Sequence, residues 1–246
     1  MATLKGKVAL VTGGSRSMGA AIAKRLAADG AAVALTYSAS PDKANEVVRA
    51  IEADGGKARA IRADAGDVAA VRAAVAETVK AFGRLDILVN NAGMTIVKRI
   101  DDFSLEDFDR IVAVNVKGLF VATQEAVRHM GQGGRIINIG SINSDYVPYG
   151  GGALYVLTKA AVAGPTKGLA RDLGPRGITI NNVQPGPVDT DMNPASGEFA
   201  KQAREYIALK RYGHADEIAD FVAYLASPGA SYITGANLAI DGGYAA

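Results

Sequence analysis

Short apolar runs alternate with longer stretches in which apolar residues recur every three or four positions, almost from one end of the chain to the other. Residues 8–11, 33–37, 58–63, 85–90, 135–139, 178–183 and 236–240 read as strands, most of them bounded by glycine or polar turn residues. Between them the pattern predicts helices up to Asp29, where Gly30 stops the first, and then over 41–53, 67–82, 104 to about 130, 154–173 and 216–226. Ser104-Leu105-Glu106-Asp107 reads as a capped helix start, an acidic residue following the serine by three positions. Strands that alternate with helices are parallel, because parallel neighbours need crossovers and helices supply them. With no repeat, linker or low-complexity stretch, the expectation is a single α/β domain over 1–246, doubly wound and Rossmann-type. Its mainly parallel seven-stranded sheet would be flanked by helices.

In such sheets ligands lie beyond the carboxyl ends of the strands, so the residues just after each strand are where chemistry is sought. The first strand runs into Thr12-Gly13-Gly14-Ser15-Arg16-Ser17-Met18-Gly19. Glycines there let backbone approach a pyrophosphate at a helix N-terminus, whose free N–H groups favour an anion. On its own the turn reads equally as a tight bend with backbone requirements. The second strand ends at Tyr37-Ser38 with no carboxylate to hold a ribose 2′-hydroxyl, while Arg16 offers a cation for a 2′-phosphate. NADP(H) is therefore expected over NAD(H).

Tyr155 and Lys159 stand four residues apart on one helix face. A nearby ammonium favours the phenolate and would bring a tyrosine, ordinarily near pH 10, toward neutrality as a proton donor or acceptor. An isolated pair of this kind would more simply be a surface lysine beside a half-buried tyrosine. Here Ser141 follows the fifth strand and Asn90-Asn91-Ala92-Gly93 the fourth, both at the carboxyl edge. Asn115 falls inside a helix, where asparagine is a mediocre choice.

These residues, with Pro185-Gly186 and the terminal Asp241-Gly242-Gly243, make the chain resemble a short-chain dehydrogenase/reductase over essentially its full length. Within that family it is nearest to the 3-oxoacyl-acyl-carrier-protein reductase branch. The resemblance implies that Tyr155 is the acid/base and that Ser141 hydrogen-bonds the substrate oxygen. It implies that Lys159 lowers the Tyr155 pKa and holds the nicotinamide ribose, and that Asn115 positions a relay water. It places Gly13, Ser15, Arg16, Ser17, Met18, Tyr37, Ser38, Asp64, Ala65, Asn91, Ala92 and Gly93 around the adenosine and pyrophosphate. Pro185, Gly186, Val188 and Thr190 join Tyr155 and Lys159 at the nicotinamide end. A mobile substrate lid is implied over about 187–206, with Met192 and Phe199 as its apolar contacts, and a homotetramer through the helices bearing Asn115 and Tyr155.

Three departures stand out. Ser17 replaces the usual second glycine, and Ser17→Gly is expected to tighten NADPH binding. Pro165 lies inside the helix that carries the pair, after it, where a kink is expected to spare the pair. The 141–155 segment is about one residue longer than in many relatives; its Tyr146 and Tyr149 read as substrate contacts or as aromatic packing.

Composition removes other classes. With 27 basic and 25 acidic residues the net charge is +2, and no long single-sign block points to nucleic acid or an anionic membrane. The absence of cysteine excludes disulfides and thiolate chemistry. His129 and His214, far apart in sequence, read as surface or helix-end residues, and no metal is expected. No signal-like or membrane-length apolar segment is present, so a cytoplasmic location is the expectation. The function expected is reduction of a ketone, a 3-oxoacyl thioester or a small carbonyl compound, to a secondary alcohol. Arg128, Arg135 and Arg176 are candidates for a carrier-protein docking patch. The alternative is a nucleotide-binding regulatory protein on the same fold; a sugar epimerase or dehydratase is disfavoured by the short C-terminal region.

Overall fold

The computed structural model describes residues 3–246. Seven strands, β1 (Val8–Val11), β2 (Ala32–Tyr37), β3 (Lys57–Arg62), β4 (Ile87–Asn90), β5 (Arg135–Ile139), β6 (Thr179–Pro185) and β7 (Asn237–Ile240), form one sheet in the order β3-β2-β1-β4-β5-β6-β7. Every pairing is parallel, so the expected mainly parallel sheet is wholly so. The chain leaves β1 in one direction and resumes at β4 in the other, which opens a crevice between their carboxyl ends.

Side chains alternate between the two faces of the strands, and the core divides accordingly. Ala9, Val11, Val33, Leu35 and Val89 pack under α1 (Ser17–Ala28), α2 (Pro41–Ala53) and the later helix Ala215–Ala226. Leu10, Ala34, Leu88 and Ile136 pack under α3 (Val68–Phe82) and two further helices, Leu119–Ala126 and Ala153–Leu173. The helix expected over 104–130 divides into α4 (Leu105–Val112), a π-helical segment (Ala113–Gly118) and α5 (Leu119–Ala126). Its start is as expected: Ser104 Oγ accepts from Asp107 N at 3.1 Å, and the Asp107 carboxylate accepts from Ser104 N at 3.0 Å.

The next helix, α6 (Ala153–Leu173), runs through Pro165 without a break. Pro165 is exposed, and Ala161, whose carbonyl it leaves without an N–H partner, is half-buried. The buried Thr166 donates its hydroxyl to Val162 O at 3.0 Å alongside. A helix not legible in the sequence, α7 (Glu198–Tyr206), precedes α8 (Ala215–Ala226). β6 extends two residues past its expected end because Asn181, Asn182 and Gln184, polar as they are, are buried with their amide nitrogens paired. Asn181 donates to Ile233 O, Asn182 to Asn237 Oδ1, and Gln184 to Ser144 Oγ at 2.6 Å. That last contact ties β6 to the loop that follows Ser141. No helix among the described residues is long and apolar enough to cross a membrane.

Candidate active site

At the crevice the glycine turn is braced from two sides. Gly13 N donates to Thr36 Oγ1 at 3.0 Å, and the amides of Asn91 and Ala92 both donate to Thr12 Oγ1 at 3.0 Å. Asn91 Nδ2 donates to the Thr12 and Gly13 carbonyls, each at 3.0 Å, so its side chain fastens the turn to the loop after β4. Thr12 and Thr36 were not among the expected site residues; hydroxyls at strand ends carry no distinctive signal in a sequence. Gly19 is required by close approach, since a Cβ there would lie 2.2 Å from Gly13 O and 2.6 Å from Asn91 Nδ2. No side chain caps the α1 N-terminus, which leaves its first-turn N–H groups facing the crevice. Arg16 stands at the rim, and the β2 end carries Tyr37 and Ser38 without a carboxylate. This donor set suits a pyrophosphate and a 2′-phosphate. Asp64 accepts from Gly66 N at 2.8 Å and pairs with Arg110 at 3.0 Å, and the backbone amide and the guanidinium hold its carboxyl below its usual value.

Asn115 explains its unusual position. It lies in the π-helical segment, whose extra residue per turn turns the side chain inward; such segments recur at functional sites. Asn115 Oδ1 accepts from Met94 N at 2.8 Å, while Nδ2 donates to Met94 O at 2.9 Å and Thr158 Oγ1 at 3.0 Å. The buried amide thereby links the loop after β4 to α6. A Cβ on Gly93 would stand 3.6 Å from Asn115 Oδ1 and 3.7 Å from Lys159 Nζ, which places all three together.

Tyr155 and Lys159 share one face of α6 as expected, with Lys159 Nζ 5.6 Å from the Tyr155 ring centre. The ammonium donates to Ile139 O at 2.8 Å. Burial governs both groups. It pushes the Tyr155 phenol up to about 12, against the hydrogen bond with Ser141 that lowers it, and brings Lys159 down to about 8. The phenol is thus raised by burial where the sequence suggested a fall toward neutrality.

Ser141 and Tyr155 open into a cleft of about 510 Å³, bounded by Val188, Thr190, Met192 and Phe199 of the 187–206 segment. Tyr149 also lines it, stacked edge-on to Phe199 at 5.6 Å and donating its hydroxyl to Asn143 Oδ1 at 2.9 Å. Tyr146 instead packs edge-on against Tyr244 at 5.5 Å. Of the two readings for these tyrosines, Tyr149 is cleft lining and Tyr146 is packing. Pro185 and Gly186 also line the cleft, as does Met18 from the glycine turn. The proposed arginine patch is not beside it. Arg135 is buried at the amino end of β5, Arg128 pairs with Glu125 at 3.0 Å, and Arg176 donates to Val127 O at that same amino edge of the sheet. His214 caps α8, and His129 pairs with Glu125 just beyond α5.

Residues 13–245 match the family model described as enoyl-(acyl carrier protein) reductase. A short-chain dehydrogenase from Burkholderia cenocepacia, solved in complex with NADP, is 55% identical with a TM-score of 0.98, covering 99% of this chain and 100% of that one. A 3-oxoacyl-[acyl-carrier-protein] reductase of Staphylococcus epidermidis is 42% identical, over 96% of this chain and 98% of its own length. The cyclic-di-GMP-binding biofilm dispersal mediator protein of Escherichia coli is 45% identical over the full length of both chains. NADP(H) is the cofactor that this crevice binds, as the Burkholderia relative is solved with NADP. The chain belongs to the short-chain dehydrogenase/reductase family of oxidoreductases, on the side of the 3-oxoacyl-acyl-carrier-protein reductases.

Proposed function

We propose that the protein is an NADP(H)-dependent carbonyl reductase of 1–246 as one domain, with 187–206 as its substrate lid. The observation that carries this reading is that Ser141 and Tyr155 line one cleft wall, with Lys159 buried beside the Tyr155 ring and Asn115 bonded to Thr158 of the same helix. Bound NADPH supplies a hydride to the carbonyl carbon. The Tyr155 hydroxyl, protonated through the neutral range, donates its proton to the carbonyl oxygen, and Ser141 Oγ donates a hydrogen bond to that oxygen as charge builds on it. Lys159 restores the proton through the polar path that Asn115 and the Met94 backbone hold in place. The apolar wall of Tyr149, Val188, Met192 and Phe199 suits a small ketone or a free 3-oxoacyl thioester. A carrier protein docked on Arg128, Arg135 and Arg176 is disfavoured by their place at the far edge of the sheet.

The cofactor half of the reading assigns the α1 N-terminus, Gly13, Ser15, Ser17, Met18 and Ala92–Gly93 to the pyrophosphate and ribose. Ala65 and Asp64 flank the adenine, and Arg16, with Tyr37 and Ser38, holds the 2′-phosphate. Arg16→Ala should lower the preference for NADPH over NADH, measured as the ratio of kcat/KM values, by about tenfold or more, since a charge-assisted contact to phosphate is lost. Equal efficiency with the two cofactors in the unaltered protein would contradict the assignment.

Ile100, Leu105, Phe108, Phe120 and Leu157 are exposed on or beside α4, α5 and α6, an apolar surface suited to subunit contacts. The proposed assembly is a cytoplasmic homotetramer through these helices. Light scattering at micromolar concentration should give four times the chain mass, and a monomer would rule it out. The name of the Escherichia coli relative favours a second reading, a nucleotide-responsive regulator. A binder has no need of a buried tyrosine–lysine pair, so that reading predicts cofactor binding without turnover.

A further inference from the structure

Three elements meet at Asp191. Its carboxylate lies 3.6 Å from Arg16 Nη1, in the glycine turn, and 3.7 Å from Lys43 Nζ, in the first turn of α2. Its backbone N–H donates to Ser17 Oγ at 3.2 Å. Ser17 makes that contact from a left-handed backbone, φ +48°, which a serine adopts only at a cost and which a glycine would adopt freely. Asp191 follows Thr190 in the 187–206 segment, so these contacts span the crevice from the lid to the pyrophosphate turn.

We propose that Asp191 is a specificity-determining clasp. In the cofactor-free protein its carboxylate occupies the Arg16–Lys43 cation pair, and it yields to the 2′-phosphate of NADP(H). The inference rests on the reading of Arg16 as a phosphate ligand, and it adds Lys43 as a second one. Carboxylate and phosphate compete for the same two cations, and the phosphate carries more charge and one more acceptor oxygen. A dinucleotide lacking that phosphate does not compete, so it leaves the lid tethered. A ligand shifts a two-state element only by its differential interaction with the two states, and here that difference resides in the 2′-phosphate.

The test pairs direct binding with amide exchange in the lid. Asp191→Asn keeps the shape and removes the competing charge. Its Kd for NADPH, by fluorescence titration, should fall about three- to tenfold, the range for two half-exposed ion pairs, while its Kd for NADH changes less than about twofold. In the cofactor-free protein, amides over 188–206 should exchange faster in Asp191→Asn than in the unaltered chain. Adenosine 2′-monophosphate should speed that exchange in the unaltered chain and not in the variant, whereas adenosine 5′-monophosphate should do so in neither. Ser17→Gly, which removes the anchoring hydroxyl and relaxes the backbone, should shift NADPH binding in the same direction. Unchanged NADPH affinity and lid exchange in Asp191→Asn, with Arg16→Ala still losing NADPH preference, would overturn the clasp alone. Arg16→Ala that keeps full preference for NADPH would overturn the phosphate reading and the clasp together.

Discussion

Tyr155→Phe should lower kcat for ketone reduction by about a thousandfold, within the usual range for loss of a positioned general acid, while NADPH binds within about threefold of its normal affinity. The phenol lies beside Ser141 in the cleft, while the Tyr149 hydroxyl is already donated to Asn143 Oδ1, Ser141 holds its proton far too tightly, and Lys159 donates to Ile139 O. Because burial raises the phenol to about 12, the acid form is fully populated at neutral pH. The substitution removes one oxygen and keeps the ring, so α6 and the cofactor crevice should persist. Steady-state rates with a fluorescence titration of NADPH separate chemistry from binding. Residual activity above about a tenth would remove Tyr155 from the role.

Lys159→Met should be comparably damaging to turnover, by about a hundredfold or more, and should carry a second signature in stability. Lys159 is 7% exposed, and its ammonium is brought from 10.5 to about 8 by burial. The folded state thus holds this proton less tightly than the unfolded chain does. Below pH 8 both states are protonated and the full cost of burying the charge is present. As pH rises from about 8 toward 10.5, the folded state sheds the proton first and that cost disappears. The unaltered protein should therefore gain stability relative to Lys159→Met across this window, by roughly 3 kcal/mol. Tyr155 acts in the opposite sense, its raised pKa costing stability as pH climbs from 10 to about 12, but it is present in both proteins and cancels in the difference. Denaturant unfolding of the two cofactor-free proteins at pH 7 and pH 10 measures it. A pH-independent difference would mean that Lys159 is not desolvated.

Much of this arrangement was legible in the sequence because it depends on local rules. Short apolar runs and the period-3.6 pattern locate β1, β5 and α2 to the residue, and the Ser104–Asp107 box marks the α4 start. The sheet edge then brings Ser141, Asn115, Tyr155 and Lys159 together, since parallel strands end on one side. What was not legible depends on contacts between distant segments. α7 owes its helix to Ala200 and Ala203 packing inward beneath an otherwise polar stretch. The π-helical segment at Asn115 is set by its bonds to Met94 and Thr158, and a polar residue in a helical pattern signals only that something is unusual. The burial that raises Tyr155, and the bond from Lys159 to the Ile139 carbonyl twenty residues away, likewise arise only in the folded packing. Asp191 meets Arg16 and Ser17 only because the lid folds back across the crevice.

The most direct test of the account is the rate of NADPH oxidation by the purified protein across a panel of small ketones and 3-oxoacyl thioesters. The account predicts turnover that follows the fit of each compound to the cleft of Tyr149, Met192 and Phe199. An inert panel, with NADPH still tightly bound, would contradict the reductase and leave the regulatory reading in its place.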